Sequence, residues 1–256
     1  MNRLNYLWRL SATALSFGLF GVGGVLIGLL LVPLSMLLPL RDREGFGKTV
    51  IHHTFNLFSH IMCWLGVMTY SGTKIERLRQ AGQLIVANHP TLIDVVFLIA
   101  KVKRADCIVK GDLLKNPFMR GAIKFAGYIV NDDPGRVVEL ASASLKRGNS
   151  LVIFPEGTRS SPDQPLKLMR GAANIAIRAG YNLTPVVIIC RPLTLGRGDR
   201  WYHIPTKRID YSVRVGNQIY VDPFIRHDRA IAARRLTQYL EIYLQKESGW
   251  DEWTSD

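Results

Sequence analysis

A histidine and an aspartate five residues apart carry the first chemistry in this chain, within Ala87-Asn88-His89-Pro90-Thr91-Leu92-Ile93-Asp94. Imidazole is the side chain whose charge changes nearest neutral pH. A carboxylate on one ring nitrogen fixes the tautomer and leaves the other nitrogen free as a general base. In one continuous helix, residues i and i+5 point apart. His89 precedes the proline that starts the expected helix, however, so its ring can fold back onto Asp94. The competing reading makes His89 a helix cap and Asp94 one half of a surface charge pair.

A second group, Phe154-Pro155-Glu156-Gly157-Thr158-Arg159-Ser160, also follows an apolar run. Gly157 permits close backbone approach to a ligand. Glu156 can hold a hydroxyl or position Arg159, and Arg159 offers a planar fork for phosphate or carboxylate. Taken alone, Pro-Glu-Gly-Thr is also a good turn. The chain contains no Gly-x-Ser-x-Gly elbow, which argues against a serine hydrolase.

The elements that must position these groups read as alternating strands and helices. Apolar runs of strand length are Leu84–Ala87, Cys107–Val109, Tyr128–Val130, Leu151–Phe154 and Pro185–Cys190. Such near-continuous runs suit strands buried on both faces. Asp133 with Pro134 signals a helix start, and Gly148 its end; Arg170–Ala179 closes at Gly180 in the same way. The fold class is therefore α/β, a mainly parallel sheet covered by helices. Ile209–Val215 and Ile219–Val221 read as strands around a Gly216-Asn217 turn. Asp228–Lys246 reads as an amphipathic helix, with an acidic tail after Gly249.

Ahead of this domain, Leu10–Leu40 carries no charge, and Arg9 and Arg41 bracket it. About 20 apolar residues span a bilayer core, and Pro33 and Pro39 should end the helix near Val32. Gly24-xxx-Gly28 is a weak helix-pairing signal. A polar link, Arg41–Lys48, leads to a second uncharged stretch, Thr49–Tyr70, expected to form a membrane-associated hairpin with the first. The division expected is a hairpin at 1–71, an α/β domain at 72–226, and a C-terminal helix and tail at 227–256.

Composition narrows the partners. The formal net charge is +13, which predicts anionic partners. Lys101, Lys103, Arg104, Lys110, Lys115, Arg120 and Lys124 face only Asp106 and Asp112 in their stretch. No stacking aromatics are interleaved with them, so nucleic acid is a poor fit, and anionic lipid or an acidic thioester carrier is the expected contact. Cys63, Cys107 and Cys190 have no metal-ligand spacing, and His52, His53 and His60 suit a membrane-interface helix better than a metal site. No metal and no resident cofactor is expected.

The pair Asn88-His89-x4-Asp94 and Phe154–Ser160, in this order and about 65 residues apart, resembles the lysophospholipid acyltransferase superfamily. The resemblance covers roughly residues 80 to 190. It implies that His89 is the catalytic base, that Asp94 is its partner, and that Glu156, Gly157, Thr158 and Arg159 bind the acceptor. Lys110, with Leu113, Pro117 and Gly121, resembles a substrate-binding block of the superfamily. Pro185, Val186 and Val187 resemble its late proline-valine motif.

The implied reaction moves an acyl group from acyl-CoA or acyl carrier protein to a lysophospholipid such as 1-acylglycerol-3-phosphate. It would take place at the inner membrane, with the catalytic domain facing the cytoplasm. Many members carry Ile-Asp-Arg after the Gly127 strand, and that arginine holds the acceptor phosphate. Here the stretch is Asn131-Asp132-Asp133, with Arg136 three residues on. A carboxylate in that place should repel a phosphate. The reading from another class is a non-enzymatic module that docks acyl carrier protein or anionic lipid, and such a surface has no use for a base and its orienter.

Overall fold

Among the described residues of the computed structural model of the protein, seven strands form one sheet in the order β1-β7-β6-β2-β5-β3-β4. They are β1 Met68–Thr73, β2 Leu84–Ala87, β3 Ala105–Lys110, β4 Ile129–Asn131, β5 Ser150–Ile153, β6 Leu183–Arg191 and β7 Ile209–Val215. The structure describes residues 3–161, 164–226 and 228–249, so the acidic tail lies outside the described residues. β6, β2, β5, β3 and β4 are mutually parallel. β7 pairs antiparallel with β6, and β1 is parallel to β7. The sheet is thus mainly parallel with a reversed pair at one edge.

The helices are α1 Arg3–Leu26, α2 Val32–Ser35, α3 Leu40–Trp64, α4 Asp94–Ile99, α5 Pro117–Ala126, α6 Pro134–Lys146, α7 Gly171–Ala179 and α8 Arg229–Ser248. Alternate residues of β2 feed opposite cores. Ile85 and Ala87 pack with residues of α3, α4 and α5, while Leu84 and Val86 pack with those of α6, α7 and α8. That alternation is the period of two of a strand buried on both sides.

Several helix boundaries follow local signals. Asp133 caps α6 by accepting from the Arg136 amide at 2.7 Å, with Pro134 in the first turn. Gly180 ends α7 in the left-handed region at φ +69°. Other boundaries differ from the sequence expectation. The first helix does not stop at Val32 but widens into a π turn, Ile27–Leu31, and continues through α2. Pro33 has no N–H for the Leu29 carbonyl and crowds it, which favours a wider turn there.

The expected link Arg41–Lys48 is the start of α3, and the expected helix to Tyr70 stops at Trp64. Met68–Thr73 is instead an edge strand with only Met68 buried. Ile219 forms a single bridge to Leu183 rather than a strand paired around Gly216-Asn217.

The N-terminal helices pack against the α/β body. A Cβ on Gly121 of α5 would lie 2.7 Å from the Gly28 Cα, and one on Gly24 would collide with the Phe118 carbonyl oxygen. The Gly24 and Gly28 spacing therefore serves an intramolecular contact. Arg9 of α1 is buried, and its guanidinium donates to the carbonyls of Pro205, Thr206 and Lys207 at 2.7 to 3.0 Å. Another face of α1 remains exposed at Leu4, Leu15, Leu19, Val22 and Leu26.

Candidate active site

Parallel strands bring their carboxyl ends to one edge, and loops there carry the chemistry. His89 follows β2, and Glu156 follows the adjacent β5. Asn88 fixes the end of β2: its amide donates to the Ile188 carbonyl at 2.8 Å and accepts from the Ile188 amide at 2.7 Å, tying β2 to β6.

The chain then turns rather than entering a helix at Pro90, and Asp94 is the first residue of α4. The reason lies in the Asp94 carboxylate. It accepts from the Thr91 amide at 2.7 Å, which closes the turn ahead of the helix. Its Oδ1 also accepts from the Thr91 hydroxyl at 2.5 Å and from the Tyr211 hydroxyl at 3.0 Å.

His89 Nδ1 donates to Asp94 Oδ2 at 2.8 Å. The His89 side chain is 16% exposed and that of Asp94 is fully buried. The carboxylate thus has four donors, enough to fill its acceptor sites. With Nδ1 engaged, Nε2 is the nitrogen able to take a proton. The Phe154 ring, with its centroid 4.4 Å from that of the imidazole, limits how far the imidazole can swing.

The Acyltransferase family model matches residues 70–189, a segment that holds both motifs in order. Over that segment the chain is similar to the acyltransferases of the lysophospholipid acyltransferase superfamily. A 1-acyl-sn-glycerol-3-phosphate acyltransferase of Helicobacter pylori is 33% identical over 134 residues, 50% of this chain and 56% of that protein. One from Pseudomonas aeruginosa is 24% identical over 180 residues, 68% of this chain and 69% of that protein. Against the H. pylori, Cocos nucifera and Caenorhabditis elegans relatives, the chain spans 56%, 58% and 52% of their length, little more than half. The crystal structure of the 1-acyl-sn-glycerophosphate acyltransferase of Thermotoga maritima matches 100% of this chain with a TM-score of 0.66 at 19% identity, which shows a shared fold.

The other superfamily motif residues differ in what the structure gives them. The Glu156 carboxylate accepts from the His89 amide at 2.8 Å, and the His89 carbonyl accepts from the Ser160 amide at 2.8 Å. The second motif therefore straps the first in place. Gly157 sits at φ +67°, and a Cβ there would run into the end of the Met169 side chain. Arg159 does not reach towards His89. Its Nη1 donates to the carbonyls of Leu195 and Gly196 at 2.9 and 2.7 Å, bracing the loop after β6. Thr158 lies partly buried between them. Lys110 ends β3 with an exposed side chain, two strands from β2 and so about 10 Å away along the same edge.

Thr91 and Tyr211 were not singled out by the sequence reading. Thr91 had a signal, a Thr-x-x-Asp box ahead of an apolar run. Tyr211 had none. His52, one of the three histidines near each other, is also accounted for, since its Nδ1 bonds the carbonyls of Ile99 and Val102 at 2.9 and 3.1 Å at the end of α4.

Burial pushes the Glu156 carboxyl above its usual value, while its bonds and the nearby imidazole oppose the rise. A carboxyl raised in the folded state stabilises the fold below its unfolded value, near 4.5. That contribution is lost as pH rises through the raised value. Glu156→Gln keeps an oxygen for the His89 amide and removes this loss. Its melting temperature should gain on wild type as pH rises from 4.5 towards 8. A wild-type protein that gains on the variant over that range would reverse the assignment.

Proposed function

We propose that the protein is a membrane-bound O-acyltransferase that moves a fatty acyl group from acyl-CoA or acyl carrier protein to the hydroxyl of 1-acylglycerol-3-phosphate. The observation that carries this reading is the His89 Nδ1–Asp94 pair, strapped by Glu156 at the sheet's carboxyl edge. His89 Nε2 takes the proton of the acceptor hydroxyl as the oxygen attacks the thioester carbonyl carbon. Asp94 stabilises the imidazolium that forms. The tetrahedral intermediate collapses, the carbon–sulfur bond breaks, and the thiolate leaves with the proton from Nε2. Atoms and charges balance with no covalent acyl-enzyme.

The exposed apolar face of α1 supports membrane attachment. Arg9 holds the first half of α1 to the loop 205–207 and Gly24 holds its last turn to α5. A helix tied to the folded domain along its length favours lying in one leaflet with that face in lipid, on the cytoplasmic side of the inner membrane.

The acceptor turns on Asp133. Its Oδ1 is occupied by the Arg136 amide at the start of α6, an arrangement that directs the carboxylate to its own helix. Lys124, Arg136 and Arg147 line a cleft of about 630 Å³ beside β4 together with Glu44 and Asp132, the latter 3.5 Å from Arg136, and the cations of that cleft are the ones proposed to meet an acceptor phosphate. The experiment is an acceptor competition between 1-acylglycerol-3-phosphate and an uncharged lysolipid, with wild type and Asp133→Arg. The wild type should prefer 1-acylglycerol-3-phosphate. The substitution should leave that preference alone and cost about 1 kcal/mol of stability through the lost cap. Rejection of 1-acylglycerol-3-phosphate by wild type, with acceptance restored by Asp133→Arg, would overturn the choice of acceptor.

A further inference from the structure

We propose that Tyr211 is a positioning residue of this site, its hydroxyl setting how firmly the Asp94 carboxylate holds the His89 ring. This rests on the reading of His89 as the base. Tyr211 is fully buried in β7, 117 residues from Asp94 in sequence, and its hydroxyl donates to Asp94 Oδ1 at 3.0 Å. It comes from the reversed edge pair of the sheet, beyond the segment 70–189 that carries the superfamily motifs. The ring is held by Phe97, with centroids 4.7 Å apart, and by Tyr70 at 6.4 Å.

The titratable groups around it are Asp94 on α4, Tyr70 on β1 and Cys190 on β6, with His89 and Glu156 beyond the carboxylate. Burial first, then the Asp94 charge, pushes the Tyr211 phenol well above its ordinary value, so it stays protonated and acts as a donor. Burial likewise pushes Tyr70 and Cys190 up to about 12, so neither takes up charge at working pH.

Two hydroxyls, Tyr211 and Thr91, bond Oδ1, while the imidazole bonds Oδ2. Each donor draws charge from the carboxylate. Removing the Tyr211 hydroxyl returns that charge to the bond with His89 and favours the imidazolium.

The test is Tyr211→Phe in the full chain. The acid limb of its kcat/KM profile, measured with acyl-CoA and 1-acylglycerol-3-phosphate, should move up by about half a pH unit. The His89 Nδ1–H proton resonance should move downfield. A purely structural role would lower the melting temperature and the activity but leave both readouts in place. A folded Tyr211→Phe protein with an unmoved limb and an unmoved resonance overturns the proposal.

If Tyr211→Phe does not fold, site-specific 3-fluorotyrosine at 211 keeps the ring and strengthens the donor. The limb should then move down, and no movement again overturns the proposal. Failure of the base reading itself is distinguishable. In that case His89→Ala remains active, while the wild-type Nδ1–H resonance still responds to Tyr211.

Discussion

His89→Ala should lower the rate of acyl transfer by about 10²–10⁴-fold, the usual contribution of a general base, while the protein remains folded and membrane-associated. The fold tolerates the loss because the imidazole is one donor among four. Asp94 keeps the Thr91 amide, the Thr91 hydroxyl and the Tyr211 hydroxyl. The Glu156 bond is made to the backbone of residue 89 and survives the change. What disappears is Nε2 as proton acceptor and the imidazolium that returns the proton to the leaving thiolate. The measurement is kcat/KM with a thioester donor, alongside circular-dichroism melts and vesicle flotation. Activity within a factor of two of wild type would remove His89 from the mechanism. A large loss of activity with a collapsed melting temperature would make the residue structural instead.

What the sequence disclosed was local. Asp133 with Pro134, and Gly180 after α7, mark helix ends because capping is decided by a few adjacent residues. The buried parallel strands were visible because burial on two faces demands an unbroken apolar run. β1 was missed for the converse reason. It is an edge strand whose inward positions, Met68 and Tyr70, merge with the uncharged run before it, and whose last residues, Ser71-Gly72-Thr73, are exposed. The reversal of β7 was also invisible, because strand direction is fixed by pairing partners far off in the chain.

At the site the same division holds. His89, Asp94 and Glu156 lie in two short motifs, but the strap from Glu156 to the His89 amide joins positions 67 residues apart, and the Tyr211 bond joins positions 117 apart. Arg159 shows the limit from the other side. Its residue type suggested an anion site, whereas its Nη1 bonds two backbone carbonyls that no spacing rule could supply.

Lys48→Ala should be the most destabilising single change near the N-terminal helices, by about 3–5 kcal/mol, because it strands a buried carboxylate. Lys48 of α3 and Asp106 of β3 are each 1% exposed, with Nζ and Oδ1 2.9 Å apart. The ammonium also meets Glu44 one turn earlier, and the Ser144 hydroxyl donates to Asp106 Oδ2. This polar knot joins the expected link region to the sheet, which is why residues 41–48 form a docked helix rather than a connector. Native domains are stable by only about 5–15 kcal/mol, so the loss is a large share of the total.

The pH dependence gives the signature. Burial raises the Asp106 carboxyl above its usual value even with Lys48 opposing it, and without the lysine it should rise further. A raised carboxyl stabilises the fold below its unfolded value, near 3.8, and that contribution is lost as pH rises through the folded value. The deficit of Lys48→Ala should therefore be smaller at pH 5 than at pH 8. Adding Asp106→Asn to Lys48→Ala removes the stranded charge, keeps an acceptor for Ser144, and should recover part of the loss at pH 8. Chemical denaturation of the two single variants and the double variant, at both pH values, measures the coupling. Additive losses that do not change with pH would mean that the ion pair does not hold α3 to the sheet.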